Sequence, residues 1–176
     1  MRALKRLLPA VLMPFLITSC AVISPQLRNE SIGPVPFKTL VHEADKYKGD
    51  TVILGGYILE TQNLADKSII KVLQAPLGSG ENPKSKDMSQ GRFIILTKGF
   101  LDPEVYRKDR KITVAGTVVG IKMEKVNDFS QPYLEIESRE IHLWPKEEYY
   151  YPQPYYDPWY YPYPFFWRPY PFYPYY

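Results

Sequence analysis

The chain has 176 residues, with 22 Lys and Arg against 19 Asp and Glu, and a formal net charge of +3 at pH 7. Three of the bases, Arg2, Lys5 and Arg6, open the chain, and without them 19 bases balance 19 acids. This balance argues against a nucleic-acid binder, because such binding depends on clustered bases that neutralise phosphates. The single cysteine excludes an internal disulfide, so an exported domain must depend on its apolar core.

The first predicted element is a lipoprotein signal peptide over residues 1–19. An apolar stretch over residues 7–17 follows the basic start and is too short to span a bilayer. Thr18 and Ser19 are small enough for a lipoprotein signal peptidase, and Cys20 supplies the thiol that accepts a diacylglyceryl group. We predict cleavage between Ser19 and Cys20, acylation of Cys20, and outer-membrane lipid and the lipoprotein processing and sorting machinery as partners. A free thiol, an intermolecular disulfide and a transmembrane anchor fit this window less well.

The next two segments differ in character. Residues 20–35 are rich in Pro, Asn, Ser and Gly and lack a helical period, which predicts a lipidated tether that lifts a domain off the headgroups. Residues 36–48 predict a short amphipathic helix that begins near Pro36 and ends at Gly49. Its apolar face contains Phe37, Leu40, Val41, Ala44 and Tyr47.

From Asp50 onward the sequence pattern changes to that of strands. Runs rich in β-branched and aromatic residues predict strands over residues 51–62, 68–74, 92–97, 111–123 and 133–144. Residues 75–91 predict a long loop, and Asp102 with Pro103 predicts a helical turn between the third and fourth strands rather than a catalytic carboxylate. In the last strand the inward parity changes after Leu134 and Ile136, which predicts a bulge within residues 138–140.

The element order predicts a mainly β fold with its domain over residues 36–148. A helix, three strands, a short helix and two strands are the order of a small five-stranded OB-like Greek-key barrel, named for oligonucleotide/oligosaccharide binding. A small β-sandwich or an open meander would leave the same strand pattern. Gly55, Gly56, Gly116 and Gly120 are interpreted as positions of strand bending or close packing.

The C-terminal stretch, residues 149–176, consists of Tyr, Pro, Phe and Trp except for Gln153, Asp157 and Arg168. Frequent proline prevents helix formation and central-strand pairing, so the sequence predicts a disordered or polyproline-like low-complexity tail. Aromatic rings with polar tips suit membrane interfaces, sugar stacking and weak protein contacts. An envelope protein or glycan is therefore a candidate partner of the tail, beside an extension that only packs on the barrel.

A search for catalytic groups finds no recognisable constellation. His42 and His142 have no spaced metal-ligating partners and are interpreted as surface histidines, and no metal or cofactor is predicted. Residues 78–80 (Gly-Ser-Gly) lack the Lys-Ser/Thr ending of a phosphate loop and predict a flexible turn. Arg92 is interpreted as a partner of a neighbouring carboxylate, with an anionic ligand as the alternative. Four acids meet at one barrel rim only if the long loops converge: Glu60, Asp66, Glu124 and Asp128.

Several short motifs, taken in order, carry a resemblance to a known family. They are the lipobox at Cys20, Tyr47-Lys48-Gly49, Leu54-Gly55-Gly56-Tyr57-Ile58, Gln74-Ala75-Pro76-Leu77, Gly91-Arg92-Phe93, Gly99-Phe100-Leu101-Asp102-Pro103, Thr113-Val114-Ala115-Gly116 and Leu143-Trp144. Together they resemble the Slp family of outer-membrane lipoproteins. The resemblance implies a Gram-negative outer-membrane lipoprotein associated with starvation, stationary phase and envelope stress, without established catalytic residues. Ala21, where an aspartate would favour inner-membrane retention, agrees with outer-membrane sorting.

Two functional hypotheses follow from the sequence. In the first, a non-enzymatic lipoprotein is fixed to the outer membrane by acylated Cys20, most simply on the periplasmic face, and its barrel is a structural or interaction module. In the second, the barrel carries a small ligand or oligosaccharide between two loops, residues 64–67 and 124–132. A cleft with polar groups beside exposed aromatic rings would favour the carrier, whereas a filled barrel face would favour the interaction module.

Overall fold

The computed structural model describes residues 21–146, and these residues form two short α-helices and five strands. The helices are α1 (Pro25–Glu30) and α2 (Phe37–His42), and the strands are β1 (Thr51–Asn63), β2 (Lys67–Gln74), β3 (Arg92–Lys98), β4 (Lys111–Val126) and β5 (Phe129–Leu143). The prediction of a mainly β fold with five strands is confirmed. No helix of the described part is long and apolar enough to cross a membrane.

The strands close into a barrel in the order β1-β2-β3-β5-β4, and β4 pairs with β1 to complete the circle. All neighbouring pairs are antiparallel except β3 and β5, which are parallel. Because side chains alternate across each strand, every second residue enters the barrel. The interior is filled by aliphatic side chains and one phenylalanine: Val52, Leu54, Ile58, Ile70, Val72, Phe93, Ile95, Ile112, Val114, Val118, Leu134 and Ile136.

Helix α2 packs its apolar face on this core. Phe37 and Leu40 are buried, and the Phe37 ring lies 6.2 Å from the Phe93 ring. The predicted helix over residues 36–48 is too long, because α-helical bonding ends at His42 and the chain continues in tight turns. Those turns still direct Ala44 and Tyr47 toward the core, so the apolar pattern is satisfied without a regular helix.

The β4–β5 hairpin is longer than predicted. β4 runs to Val126 and β5 begins at Phe129, so a tight turn at Asn127 and Asp128 replaces the predicted loop over residues 124–132. Asn127 has a φ of 54°, as such turns require. The extra length of β4 and β5 is not predictable from the sequence, because most residues at these strand ends are exposed and show no alternation of apolar and polar side chains.

Two bulges shape the β4–β5 pair. Ala115 pairs with Glu140 while Gly116 pairs with Ser138, so Arg139 is the extra residue. This confirms the bulge predicted within residues 138–140. It explains why Ile141 and Leu143 pack against the same core as Leu134 despite their opposite parity.

The second bulge lies at Val119, beside Gly120, whose φ is 153°. Few L-residues adopt such a φ, so this glycine is required by backbone conformation. Glycine is required at positions 56 and 116 for a different reason, because a side chain there would not fit. A Cβ atom at Gly56 would overlap the Leu73 carbonyl oxygen. A Cβ atom at Gly116 would lie 2.5 Å from the Glu137 carbonyl oxygen. Gly55 is similarly crowded by Leu77, so the interpretation as close-packing positions is confirmed for these three.

The helix predicted between the third and fourth strands needs correction, whereas the loop predicted before the third strand does not. Residues 99–110 contain two short turns rather than a helix. In the first turn the Asp102 carbonyl oxygen accepts hydrogen bonds from the amides of Val105 and Tyr106. Asp102 Oδ1 also accepts from the Glu104 amide at 2.9 Å, so the predicted cap exists although no helix follows it. The predicted loop over residues 75–91 is confirmed, and it contains two short 3₁₀ turns, Ser79–Glu81 and Lys86–Met88.

Candidate functional site

The segment that follows the predicted lipobox lies directly on the barrel wall. Ile23 is 1% exposed and packs with Leu27 against Ala115 of β4. The Ile23 amide donates to Glu81 Oε2 at 2.9 Å, and the Ser24 amide donates to the carboxylate of Glu140 at 3.1 Å. The prediction of a helix-free tether over residues 20–35 is therefore wrong at α1. Contacts with residues far away in the sequence hold this part of the chain in a defined structure.

Glu81 is the centre of this arrangement, which we call the N-terminal clasp: Ile23, Ser24, Arg28, Glu81 and Glu140. Its second carboxylate oxygen accepts from Arg28 Nε at 2.9 Å, and Arg28 also donates to the Ile23 carbonyl at 2.9 Å. The Glu81 side chain is only 15% exposed, so the ion pair is partly shielded from solvent. Glu81 adopts a φ of 65°, an uncommon conformation for a residue other than glycine.

The bulge residue reaches the other end of α1. The Arg139 guanidinium forms an ion pair with Glu30 and also contacts Thr51 Oγ1. Arg139, and secondly Gln26, lower the pKa of the Glu30 carboxyl through hydrogen bonds. The bulge therefore has two effects: it restores the inward parity of β5 and supplies a cation to the segment outside the barrel.

The N-terminal clasp is also connected to the end of the last strand. The Thr113 hydroxyl donates to the Glu81 carbonyl oxygen at 2.8 Å, and Trp144 Nε1 donates to Thr113 Oγ1 at 2.9 Å. Arg110 donates to the Trp144 carbonyl at 2.7 Å. Hydrogen bonds through Glu81 and Thr113 thus connect Ile23, close to the lipobox, with Trp144, close to the aromatic stretch.

A second polar cluster lies on the outer surface of the barrel. Lys71 Nζ lies 3.2 Å from Glu60 Oε2 on β1 and 3.3 Å from Glu124 Oε2 on β4. Lys122 Nζ lies 2.9 Å from the other oxygen of Glu124. We call these four residues the outer ion-pair bridge. It joins β2 to the β4–β5 hairpin, although β2 and β4 are not neighbours in the barrel.

The pKa directions within this bridge follow from its contacts. Lys122, and less strongly Lys71, hold the pKa of Glu124 below its ordinary value, although partial burial acts in the opposite direction. Partial burial lowers the pKa of Lys71, but hydrogen bonds to Glu60 and Glu124 together outweigh it, so that pKa lies above its ordinary value. Both shifts favour the charged forms, as expected for paired groups.

The outer face beside the bridge is filled. Ile94 pairs with Lys71 and Glu135, so it points away from the core, yet its exposed fraction is 0%. Tyr133 is 3% exposed, and its hydroxyl accepts from Arg92 at 3.0 Å. Among the described residues Arg92 forms no ion pair, so the predicted contact with a carboxylate is wrong and the tyrosine takes its place.

The structure brings together only some of the predicted site residues. Glu60 and Glu124 meet through Lys71, whereas Asp66 and Asp128 lie exposed in the β1–β2 and β4–β5 turns. His42 is exposed on α2, as predicted. His142 is half-buried, with its ring 4.7 Å from that of Trp144.

Residues 21–146 contain neither a cluster of metal ligands nor a phosphate loop. Across residues 21–146, no group of three or more His, Cys, Asp or Glu is placed to hold a metal ion. The Gly-Ser-Gly sequence at 78–80 forms a turn that leads into Glu81, and Gly80 has a φ of 64°. Its role in the described structure is to present Glu81 to the N-terminal clasp.

Two cavities lie beside α2. One of about 360 Å³ lies between the segment before α2 and the start of the long loop, and it includes Pro34, Gln74 and Leu77 in its lining. Another, of about 270 Å³, lies between α2 and β5 and is lined in part by Val41, Arg92 and Pro132.

The predicted lipidation residue Cys20 and the cleavage residue Ser19 lie outside the described residues, as does the stretch over 149–176. The sequence alone predicts no role for Glu81, Glu140 or Thr113. Each is an ordinary polar residue in a loop or strand, and only the closed barrel brings them together. The sequence pattern that bears on α1 is the four-residue spacing of Ile23 and Leu27, with polar residues and a proline between them. Two apolar residues are too few to define a helix face.

These features define a class: a small closed β-barrel on whose wall the residues after a predicted lipobox are seated. The sequence model of the outer membrane lipoprotein Slp family matches residues 17–176, and the chain belongs to this family. The resemblance noted in the sequence is thereby confirmed. The family is one of outer-membrane lipoproteins, which confirms the predicted location at that membrane.

Three relatives illustrate the similarity. An uncharacterized protein of Haemophilus influenzae is 36% identical over 95 residues, which cover 53% of this chain and about half (51%) of that protein. The outer membrane protein Slp of Escherichia coli is 27% identical over 132 residues, 74% of this chain and 70% of the relative. The uncharacterized lipoprotein YeaY of Escherichia coli is 26% identical over 149 residues, 82% and 75% respectively. None of these three names states an enzymatic activity.

Proposed function

We propose that the protein is a non-enzymatic outer-membrane lipoprotein, anchored by acylated Cys20, whose barrel is a structural or interaction module of the cell envelope. Starvation or envelope stress, which the family resemblance implies, is the setting in which we expect it to act. The periplasmic face of the membrane is the proposed location of the barrel. Membership of the lipoprotein family supports the anchor, and the filled barrel supports the absence of catalysis.

The seating of Ile23 on the barrel is the observation that carries the proposal. Ile23 lies three positions after Cys20, so extended-chain geometry keeps their Cα atoms within about 11 Å. An acylated Cys20 would therefore hold the barrel at the membrane surface. Such a short connection suits a module that works at the surface of the leaflet, and it replaces the long spacer expected from composition.

We further propose that the barrel is of the OB type. The order β1-β2-β3-β5-β4 with one parallel pair, β3 with β5, supports this assignment. In that fold class, ligands bind on the outer face of β2 and β3, between the β1–β2 and β4–β5 loops. Here Lys71 and Ile94 occupy that face, the first in ion pairs and the second fully buried.

The same face bears on the carrier hypothesis. A carrier needs an accessible cleft with polar groups beside exposed aromatic rings. Tyr133 of β5, which pairs with Arg92 at the edge of this face, is buried, and the exposed Phe129 lies at the hairpin turn. These observations support the interaction module over the carrier.

The anchor is tested by Cys20→Ala in cells supplied with labelled palmitate. We expect no label and an uncleaved signal in the variant, because no thiol accepts the diacylglyceryl group. Ser24→Ala is the matched control, since only its backbone amide contacts Glu140, and it should label like the natural chain. An unmodified thiol at Cys20 in the purified natural protein, measured by mass spectrometry, would reject the anchor.

A further inference from the structure

The two faces of the β4–β5 hairpin differ in charge. One face carries part of the outer ion-pair bridge, in which Lys122 pairs with Glu124 at 2.9 Å. Because side chains alternate along a strand, Ile121, Met123 and Lys125 lie on the other face. The β5 residues that pair with these three are neutral: Leu134, Pro132 and Ser130. These six positions of the described hairpin therefore form a face that is apolar and basic, without an acidic residue.

This face of the hairpin continues into the cavity between α2 and β5. Pro132, which pairs with Met123, lines that cavity of about 270 Å³ together with Val41 of α2. Met123 is 59% exposed beside it. A concave apolar site accepts an apolar side chain, and a flexible methionine at its edge adapts to the shape of what binds there.

Three bases surround the same cavity. Lys38, His42 and Arg92 are part of its lining, and none of the described residues that line it is acidic. Within residues 21–146 none of these three bases forms an ion pair, and Glu43, which follows His42 in the chain, pairs with Lys46 instead. Bases without compensating acids around a concave surface attract an anion.

Arg92 is held in an orientation that suits a carboxylate. Its Nη1 donates to the Tyr133 hydroxyl at 3.0 Å, and its guanidinium lies 6.0 Å from the centre of the Tyr133 ring. Because Tyr133 is itself buried, these contacts restrain the guanidinium plane. Nε and Nη2 have no hydrogen-bond partner within residues 21–146. Together they form the planar fork that binds a carboxylate through two parallel hydrogen bonds.

We propose that this surface docks an acidic segment of a partner protein, with a carboxylate bound to Arg92 and a neighbouring apolar side chain in the cavity. We call the surface the basic groove: Lys38, His42, Arg92, Met123, Lys125 and Pro132. The inference rests on the proposed function, because it names the partner chemistry of the interaction module. Charge complementarity requires an acidic partner, and the apolar cavity favours a protein over an anionic polysaccharide, which has few apolar groups to bury.

The proposal is tested by photocross-linking in the bacterium that naturally produces the chain. The photoreactive residue para-benzoylphenylalanine replaces Met123 in the full-length protein, and mass spectrometry identifies the segment to which it becomes joined. We expect a protein segment in which Asp or Glu lies next to an apolar residue. The control position is Phe100, which is 74% exposed and follows the end of β3 opposite to Arg92, and it should not give this adduct.

Two substitutions beside the cross-linker test the role of charge. Arg92→Gln should lower the yield of the Met123 adduct about tenfold, because a charge-assisted pair is lost. Lys38→Gln should lower it about threefold, and because Lys38 is exposed this variant keeps its fold even if Arg92→Gln weakens the domain. Lys48→Gln is the matched control, since Lys48 is equally exposed and lies outside the groove, and it should leave the yield unchanged.

The outcomes separate this inference from the proposed function. A Met123 adduct that contains no acidic residue, or whose yield is the same in all three variants, overturns the inference. An adduct with lipid or lipopolysaccharide overturns it as well. Protein adducts at Phe100 with none at Met123 overturn the basic groove and leave the interaction module intact. An unacylated Cys20 in the same cells rejects the anchor, whereas a charge-dependent Met123 adduct in that sample would still support the groove.

Discussion

The backbone amide of Ile23 donates a 2.9 Å hydrogen bond to Glu81 Oε2 across 58 residues of chain. This contact determines the course of the chain between the lipobox and the barrel. It connects the N-terminal segment with a loop whose shape depends on a positive φ at Glu81 itself. The conformation of this loop and the course of the N-terminal segment over residues 23–28 are therefore coupled.

Glu81→Gln should destabilise the domain. The amide keeps an oxygen for the Ile23 N–H but loses the charge that pairs with Arg28, so we expect a loss of about 1–2 kcal/mol in the free energy of unfolding. Urea denaturation measures the change, and hydrogen exchange at the Ile23 amide should become faster.

Glu43→Gln is the matched control for that substitution. Glu43 pairs with Lys46 on the surface, with both side chains at least about half exposed, so its loss should change stability by less than about 0.5 kcal/mol. Equal effects of the two substitutions would show that the N-terminal clasp does not stabilise the fold.

The outer ion-pair bridge should make stability depend on pH. The pKa of Glu124 is lower in the folded chain than its ordinary value of about 4.3, so its contribution is present above that pH and is lost as the pH falls further. The pKa of Lys71 is raised, so its contribution is present below about pH 10.4 and is lost at more alkaline pH.

Glu124→Gln tests the part of this pH dependence of stability that lies at acidic pH. At pH 7 we expect a loss of about 0.5–1 kcal/mol, because the pairs with Lys71 and Lys122 disappear. At a pH well below 4 the variant and the natural chain should have nearly equal stability, since the carboxyl is then protonated. Urea denaturation at both pH values measures this, with Glu104→Gln as an exposed control. A constant difference at all pH values would contradict the assignment.

The features of the fold that can be predicted from the sequence are those that leave a local pattern of apolar residues or glycines in it. The parity change between Ile136 and Ile141 revealed the bulge at Arg139, because a strand with one buried face must keep its apolar residues inward. Gly56 and Gly116 were recognised for a similar reason, since glycine within a strand marks a close approach of backbones.

Features that depend on distant contacts were not predictable. α1 has one buried residue, Leu27, so no helical period marks it, and its position depends on Glu81 and Arg139. The end of the β4–β5 hairpin is exposed, so strand alternation is absent there. The turn at Asp102 has a recognisable cap, yet no helix continues after Tyr106. No local sequence feature determines how many residues remain helical after the cap.

Gly56→Ala should be strongly destabilising. A methyl group there would overlap the carbonyl oxygen of Leu73 on β2, and backbone cannot move as a side chain can. We expect a loss of about 3 kcal/mol in the free energy of unfolding, from overpacking and disturbed strand pairing. Gly78→Ala is the control, because its nearest neighbour would be the Asn82 carbonyl oxygen at 3.4 Å, and thermal melting compares the two. A Gly56→Ala chain that melts like Gly78→Ala would show that β1 and β2 are farther apart in solution.

Deletion of residues 149–176 should leave the stability of the barrel nearly unchanged. The buried apolar core extends from Ile23 to Ile136, with Ile141 and Leu143 packed against it, so every side chain that fills the barrel remains in the shortened chain. We expect the same midpoint in urea to within the error of the measurement. A large drop in the urea midpoint would instead make the stretch part of the folded domain.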